Sequence, residues 1–356
     1  MSHSLNVTVM VDAGTISPDD PEFTAEPQTT TEGHVVAALR ELGHRVGVLG
    51  VDDCLAEIVG SLTEHPPDLV FNLAEQFRND RRLDMNVPAL LEMMDVRFTG
   101  TGPAGLMLCR DKGLCKQLLS LHKIRVPDFL VLEPGQSIRV PKRIQYPVLV
   151  KPLYEDASDG IAMASLVKNE SELLERARFV HERWDQVAIA EQYIEGRELY
   201  VSVLGNDRLT VFPPREIRFG NAGKGGPIIA TSRVKWNEQY RQKWNIEYGF
   251  AELPEAVFAK VARVCKRVYR LLQLRDYGRI DLRLTPEGRI FILEVNPNPG
   301  IAYGEDYAES AEKAGVGYNR LIDRILRLAL RRYEPAPIAA HVKTPRTSAA
   351  ANVAGV

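Results

Sequence analysis

Four polar residues between Tyr277 and Gly300 have the types and spacing to do chemistry: Arg279, Asp281, Glu294 and Asn296. The stretch reads as two strands around a turn at Pro286-Glu287-Gly288. With the turn centred on Glu287 and Gly288, Asp281 lies opposite Glu294 and Arg279 opposite Asn296. Cross-strand partners point the same way and side chains alternate with period two, so these four share one face. Ile280, Leu282, Leu284, Phe291, Leu293 and Val295 then form an apolar face. Two facing carboxylates repel and weaken a sheet unless a cation sits between them. Two carboxylates and an amide oxygen are a hard, all-oxygen set that Mg²⁺ accepts together with phosphate oxygens, with Mn²⁺ as the alternative ion. The competing reading is an exposed hairpin with a solvated charged face.

The elements around this hairpin follow from periodicity. Leu5, Val7, Val9 and Val11 alternate and predict a first strand, followed by a polar loop from Ala13 to Thr31. A helix through Val35 to Leu42, a strand over Arg45 to Leu49, a helix over Asp53 to Thr63 and an apolar strand over Leu69 to Leu73 continue the alternation. Pro88 to Met94 reads as helix and Val96 to Thr99 as a short strand before Gly100-Thr101-Gly102. Strictly alternating strands and helices imply a small open parallel sheet. No GxGxxG follows the first strand, so a dinucleotide fold is not supported. Pro103 to Ile124 carries one long helical pattern. Beyond Val126-Pro127 come a buried strand ending in Lys151, a polar turn segment from Leu153 to Gly160, an apolar strand from Ile161, a helix over Glu172 to Arg183, and strands over Val187 to Tyr193 and Leu199 to Leu204. That order predicts a small α+β unit with an antiparallel sheet. Pro254 opens a helix whose Val257, Val261, Val264, Val268 and Leu271 form a core face. Tyr318 to Leu330 is a last helix, and Glu334 to Val356 lacks periodicity and reads as a disordered tail.

A strand ending in a lysine beside a small flexible turn suits phosphate: the ammonium supplies a point charge and exposed N–H groups supply directed donors. Lys151 meets that description, and Lys112 and Lys235 are further candidates. Gly220 to Gly226 is the most glycine-rich internal stretch; it either covers a site or simply connects two strands. A chain of 356 residues exceeds a single core and predicts two or three domains. The net charge of -2 argues against nucleic acid or anionic membranes as bulk partners. No apolar run is long enough to span a bilayer, and no leader pattern is evident, so the cytoplasm is the expected location. The four cysteines lack CxxC spacing and the seven histidines form no HxxxH pair, so reduced thiols and no zinc site are expected.

The order of lysines, acidic strand and acid–Asn hairpin resembles the ATP-grasp ligases, above all the D-alanine–D-alanine ligase family. The resemblance rests on Phe98-Thr99-Gly100-Thr101-Gly102, Asp111-Lys112, Pro147 to Pro152, Glu191-Gln192-Tyr193-Ile194 with Glu198, Gly278-Arg279-Ile280-Asp281, and Glu294 to Gly300. It spans roughly Pro67 to Leu330. It implies an ATP-grasp fold, α/β and α+β: an N-terminal open parallel domain over 1–103, a central subdomain over 104–190, a C-terminal subdomain with the metal site over 191–333, and a tail over 334–356. ATP would lie between the last two subdomains. Carried over by position, Lys112 and Lys151 would contact ATP phosphates, Glu191, Gln192 and Ile194 would lie along the adenine, and Glu198 would hold the ribose. Lys235 would approach the γ-phosphate, and Asp281, Glu294 and Asn296 would bind two Mg²⁺ ions. Arg279 would stabilise a tetrahedral intermediate, and Ser158 keeps the serine of the family's first loop. The implied activity is ADP-forming ligation of a small-molecule carboxylate and an amine through an acyl phosphate, with a homodimer as the possible assembly. A non-catalytic Mg-ATP-binding relative is the alternative. The departures concern substrate. The family's serine for the second amino acid's carboxylate aligns near Glu305, its loop tyrosine aligns with Trp236, and its glycine-rich N-terminal segment is absent.

Overall fold

The computed structural model describes residues 4–13, 30–136, 139–155, 160–221, 224–226 and 228–334, without the Trp236 side chain. The polar loop after the first strand, Ser158 and the tail beyond Glu334 lie outside these residues. The first layer is built from β1 (Asn6–Asp12), α1 (Thr31–Glu41), β2 (Arg45–Val51), α2 (Leu55–Glu64), β3 (Leu69–Asn72) and α3 (Asn86–Met93). Its sheet is parallel, in the order β2-β1-β3, as the alternation of strand and helix predicted. The predicted strand at Val96 to Thr99 is reduced to a single parallel bridge between Val70 and Phe98.

The predicted long helix after Gly102 is two helices, α4 (Pro103–Arg110) and α5 (Lys112–Leu121). Asp111 is the break: its backbone is extended and its Oδ1 accepts from Leu114 N at 2.8 Å, which caps α5. The cap sets Lys112 at the first position of α5, with Lys116 one turn on. Both point inward and are buried.

A second sheet holds β4 (Phe129–Leu132), β5 (Val148–Pro152), β6 (Leu166–Val167) and β7 (Ala188–Gln192), backed by α6 (Glu170–Trp184). It is antiparallel in the order β4-β7-β5-β6. The strand expected from Ile161 is instead a short 3-10 turn at Met163–Ser165 leading into the two residues of β6. Only Leu166 and Val167 pair with β5, while Ser165 Oγ accepts from Ala162 N and closes the turn before them.

The third sheet carries β8 (Arg197–Leu204), β9 (Thr210–Val211), β10 (Arg215–Phe219), α7 (Ser232–Trp236), α8 (Glu238–Trp244), β11 (Ile246–Phe250), α9 (Glu255–Leu271), β12 (Tyr277–Leu284) and β13 (Ile290–Pro297). The order is β11-β10-β8-β12-β13, with β9 on β8. Helix α9 buries Val261, Cys265 and Val268, with Leu272 just past its end, against Leu199, Val201, Ile280 and Leu282 of the sheet; Val257, Val264 and Leu271 flank that face, partly buried. The chain then runs through α10 (Asp306–Lys313) and α11 (Tyr318–Arg332). Leu321, Ile322, Ile325 and Leu326 of α11 pack with Val35 and Leu39 of α1, so the C-terminal helix belongs to the core of the first layer. All four cysteines are free, three of them buried.

The hairpin pairing is as read from the sequence at its functional end: Arg279 faces Asn296 and Asp281 faces Glu294. Nearer the turn the reading needs correction. Thr285 N donates to Arg289 O, so the turn takes three residues and Leu284, Arg283 and Leu282 pair with Ile290, Phe291 and Ile292. An extra residue at Leu293 restores the register, a β-bulge. The core face is therefore Ile280, Leu282, Leu284, Ile290, Ile292 and Val295, while Phe291 and Leu293 are only partly buried. A turn of two residues and a turn of three plus a bulge share the same hydrophobic pattern at one end, which is why composition did not separate them.

Candidate active site

One cavity between the second and third sheets gathers Lys151, Glu191, Gln192, Ile194, Glu198, Lys235, Asp281 and Glu294. Sequence reading placed all eight in one site, and the fold brings them together. Lys151 arrives on β5, Glu191 and Gln192 on β7, Glu198 on β8, Asp281 and Glu294 on the hairpin, and Lys235 on α7. The chain between β10 and α7 carries the glycine-rich stretch, and α7 brings Lys235 to the cavity. Lys112 joins from α5, its ammonium 3.1 Å from Glu294 Oε1.

Charge decides the geometry. Burial alone would raise the Glu294 carboxyl, but Lys112, Lys151 and Lys235 more than offset it and hold it below the usual carboxylate range. Burial also raises Asp281, and here it outweighs the opposing pull of Arg279 and Lys235. Arg279 donates to Asp281 through Nε at 2.8 Å and Nη2 at 3.0 Å, a two-point grip that fixes the guanidinium plane. Nη1 has no hydrogen bond among the described residues and remains to meet a ligand. The Tyr200 ring lies 5.5 Å below the guanidinium.

The hairpin suits a hard cation. Glu294 Oε1 is buried and accepts no well-aligned hydrogen bond. Asn296 Nδ2 donates to Asp281 Oδ2 at 3.1 Å, which leaves the amide oxygen as a further donor atom to a metal. No group of three or more His, Cys, Asp or Glu converges among the described residues. Two carboxylates and one amide would leave part of an Mg²⁺ shell to phosphate oxygens and water.

Two residues were missed. Lys116 sits 3.3 Å from Glu191 Oε1, the same distance as Lys151, so one buried carboxylate holds two ammonium groups. Burial lowers Lys116, with Glu191 opposing; Lys151 is also penalised by burial, but Glu191 and Glu294 outweigh it and raise it. The four-residue step from Lys112 was the available signal. Arg283 ion-pairs Glu198 at 2.7 Å, directly across from it in the β8–β12 register, and Glu198 also accepts from Tyr200 Oη at 3.0 Å. The period-two run Arg279, Asp281, Arg283 pointed to it. Glu305 is not in the wall of the cavity. It stands at the head of α10, past Arg279. Trp236 ends α7, but its side chain is not described, and Ser158 lies outside the described residues.

Residues 118–327 match the family model described as the D-ala D-ala ligase C-terminus, more than half of the chain. The chain belongs to the D-alanine–D-alanine ligase family. A protein of Sinorhizobium fredii, uncharacterised and designated y4sG, is 33% identical over 86% of this chain and 89% of its own length. The D-alanine–D-alanine ligase of Aquifex aeolicus is 30% identical, over 82% of this chain and 92% of that protein. The crystal structure of the Bacillus anthracis D-alanine–D-alanine ligase complexed with ATP superposes with a TM-score of 0.71, covering 93% of this chain and 98% of that one at 21% identity. That last likeness is one of fold, and it identifies the three sheets as the ATP-grasp architecture. The family is one of ATP-dependent, ADP-forming ligases.

Proposed function

We propose that the chain activates a carboxylate with ATP and couples it to an amine. The observation that carries this reading is the facing of lysines and acids across one cavity: Lys112, Lys151 and Lys235 against Asp281 and Glu294. A binder of neutral ligands has no use for that charge density.

A carboxylate is a poor electrophile at neutral pH. In the first step its oxygen attacks the γ-phosphorus of ATP, the bond from that phosphorus to the bridging oxygen breaks, and ADP leaves. The product is an acyl phosphate. Such transfers need positioning and charge neutralisation more than covalent help. Lys112, Lys151 and Lys235 neutralise the phosphate oxygens, and Lys116 holds Glu191 and so the wall that Lys151 leans on. Asp281, Glu294 and Asn296 would hold Mg²⁺, two ions in the fullest arrangement, and the metal would supply further neutralisation and in-line alignment. Glu198, set by Arg283, faces the ribose end, with Gln192 and Ile194 beside the base. In the second step the neutral amine attacks the acyl carbon. Arg279 Nη1 meets the negative charge that grows on the carbonyl oxygen, phosphate leaves, and the amine nitrogen loses a proton. Water must be excluded, since it would hydrolyse the acyl phosphate, and α7, which carries Lys235 to the cavity, would do so.

The test is release of ADP and phosphate by the purified protein with Mg²⁺ and a panel of acid and amine pairs, with the amide product identified by mass. Stoichiometric ADP, phosphate and amide are expected for at least one pair. Tight Mg-ATP binding with no ADP from any pair would instead make the chain a non-catalytic nucleotide-binding relative.

A further inference from the structure

Past Arg279 the surface changes character. Glu305 precedes α10 but its side chain makes no capping hydrogen bond to it. The carboxylate turns back over Gly300 instead, and a Cβ at that glycine would collide with it. Burial raises Glu305; Arg279 opposes, while Asp306 and Glu32 add to the rise, which places Glu32 of the first turn of α1 within electrostatic reach. Neither Glu305 nor Glu32 has a hydrogen bond or ion pair through its carboxylate among the described residues. Beside them the rings of Tyr303, Tyr318 and His34 meet edge to face at 5.9 to 6.3 Å. Tyr303 N donates to His34 Nδ1 at 3.2 Å, tying this loop to α1. Tyr303 is 61% exposed, so its side chain is open to a ligand.

Of the nearby cations, Arg215 lies 3.1 Å from Asp306 and 3.8 Å from Glu309, and Arg279 spends Nε and Nη2 on Asp281, which leaves it only Nη1. Two unpaired carboxylates and an exposed aromatic side chain therefore dominate this surface, and the amino end of α10 offsets them only in part. A substrate carboxylate would be repelled here. An ammonium or guanidinium would gain both carboxylates and a cation–π contact.

We infer that the amine substrate carries a second positive group and no carboxylate beside the attacking nitrogen, and that Glu305, with Glu32 and Tyr303, selects it. This rests on the ligase reading above. The substrate class is a diamine or a guanidino-amine rather than a neutral α-amino acid.

Calorimetry with Mg²⁺ and a non-hydrolysable ATP analogue tests the inference, using 1,4-diaminobutane and D-alanine as probes. Wild type should bind the diamine at least about tenfold more tightly, a difference near 1.4 kcal/mol. Glu305→Gln should lose that preference and Glu305→Ser should reverse it toward D-alanine, while circular dichroism reports that each variant is folded. D-alanine bound as tightly as the diamine by wild type, or an unchanged preference in Glu305→Gln, would overturn the inference and leave the ligase reading standing. Failure of the nucleotide analogue itself to bind would sink the ligase reading, and the amine assignment would fall with it.

Discussion

Glu294 is pulled in two directions, by burial toward the neutral acid and by Lys112, Lys151 and Lys235 toward the carboxylate, and the lysines win. Because its folded-state pKa lies below the ordinary 4.5, it contributes stability that is present above about pH 4.5 and lost as the pH falls below it. Glu294→Gln should therefore flatten the acid limb of a stability–pH profile measured by urea denaturation, while turnover at neutral pH falls by roughly 10² or more through loss of a charge-bearing contact to the transition state. Asp281→Asn should match it in turnover, with a second effect: Arg279 loses its two-point grip and the KM for the amine rises. Turnover within a factor of two of wild type in both variants would remove the metal assignment. These residues were legible because acid, Asn and Arg at period-two spacing gather on one side of an otherwise apolar hairpin, and such a face must meet water or a cation. Lys116 was missed: the four-residue step from Lys112 puts both on one helix face, but its partner Glu191 lies on β7, far along the chain.

At the scale of the element, the hairpin of β12 and β13 shows how register hides from composition. Its functional end reads correctly from the sequence, because a strand face that carries Arg279, Asp281, Glu294 and Asn296 cannot also be core. Its turn end does not, because Ile290, Phe291, Ile292 and Leu293 are all apolar and either alternate set would serve as a core face. The bulge at Leu293 buries the isoleucines, with Ile292 only 1% exposed. Ile292→Ala should cost roughly 2–5 kcal/mol in denaturant unfolding, as large-to-small changes in a filled core do. Phe291→Ala should cost less, roughly 1–2 kcal/mol, since that ring is only partly buried and faces the Arg283 side. The reverse order of the two values would restore the bulge-free register.

The whole molecule is held together at Asp276, a fully buried carboxylate between β12 and α9. It accepts from Arg332 Nη2 of α11 at 3.0 Å, from Asn206 Nδ2 of the β8–β9 connection at 2.9 Å, and from Gly100 N at 2.8 Å. Arg332 also donates to Phe98 O at 2.6 Å, so one ion pair ties the end of the first layer, the third sheet and the last helix. Gly100 permits this: its φ of +90 is left-handed, and a side chain there would collide with Asn298 just past the hairpin. Thr101 N in turn donates to Asn298 Oδ1 at 2.8 Å, which connects the joint to the residues that follow Asn296. The parallel layer and the acid hairpin are thus set relative to each other by hydrogen bonds to a carboxylate, not by apolar packing alone. Asp276→Ala removes the buried anion of this pair and leaves Arg332, partly buried, with backbone acceptors such as Phe98 O; breaking one side of a buried pair typically costs about 3–5 kcal/mol, and the residual bonds put the expected cost at about 3 kcal/mol or below. Asp276→Asn keeps one acceptor oxygen, enough for Gly100 N and Arg332 Nη2, and should cost less. The loss should appear as separate unfolding of two parts, with the tryptophan fluorescence and far-ultraviolet dichroism transitions no longer coincident in urea. Coincident transitions at wild-type midpoints would show that the layers hold together without this joint.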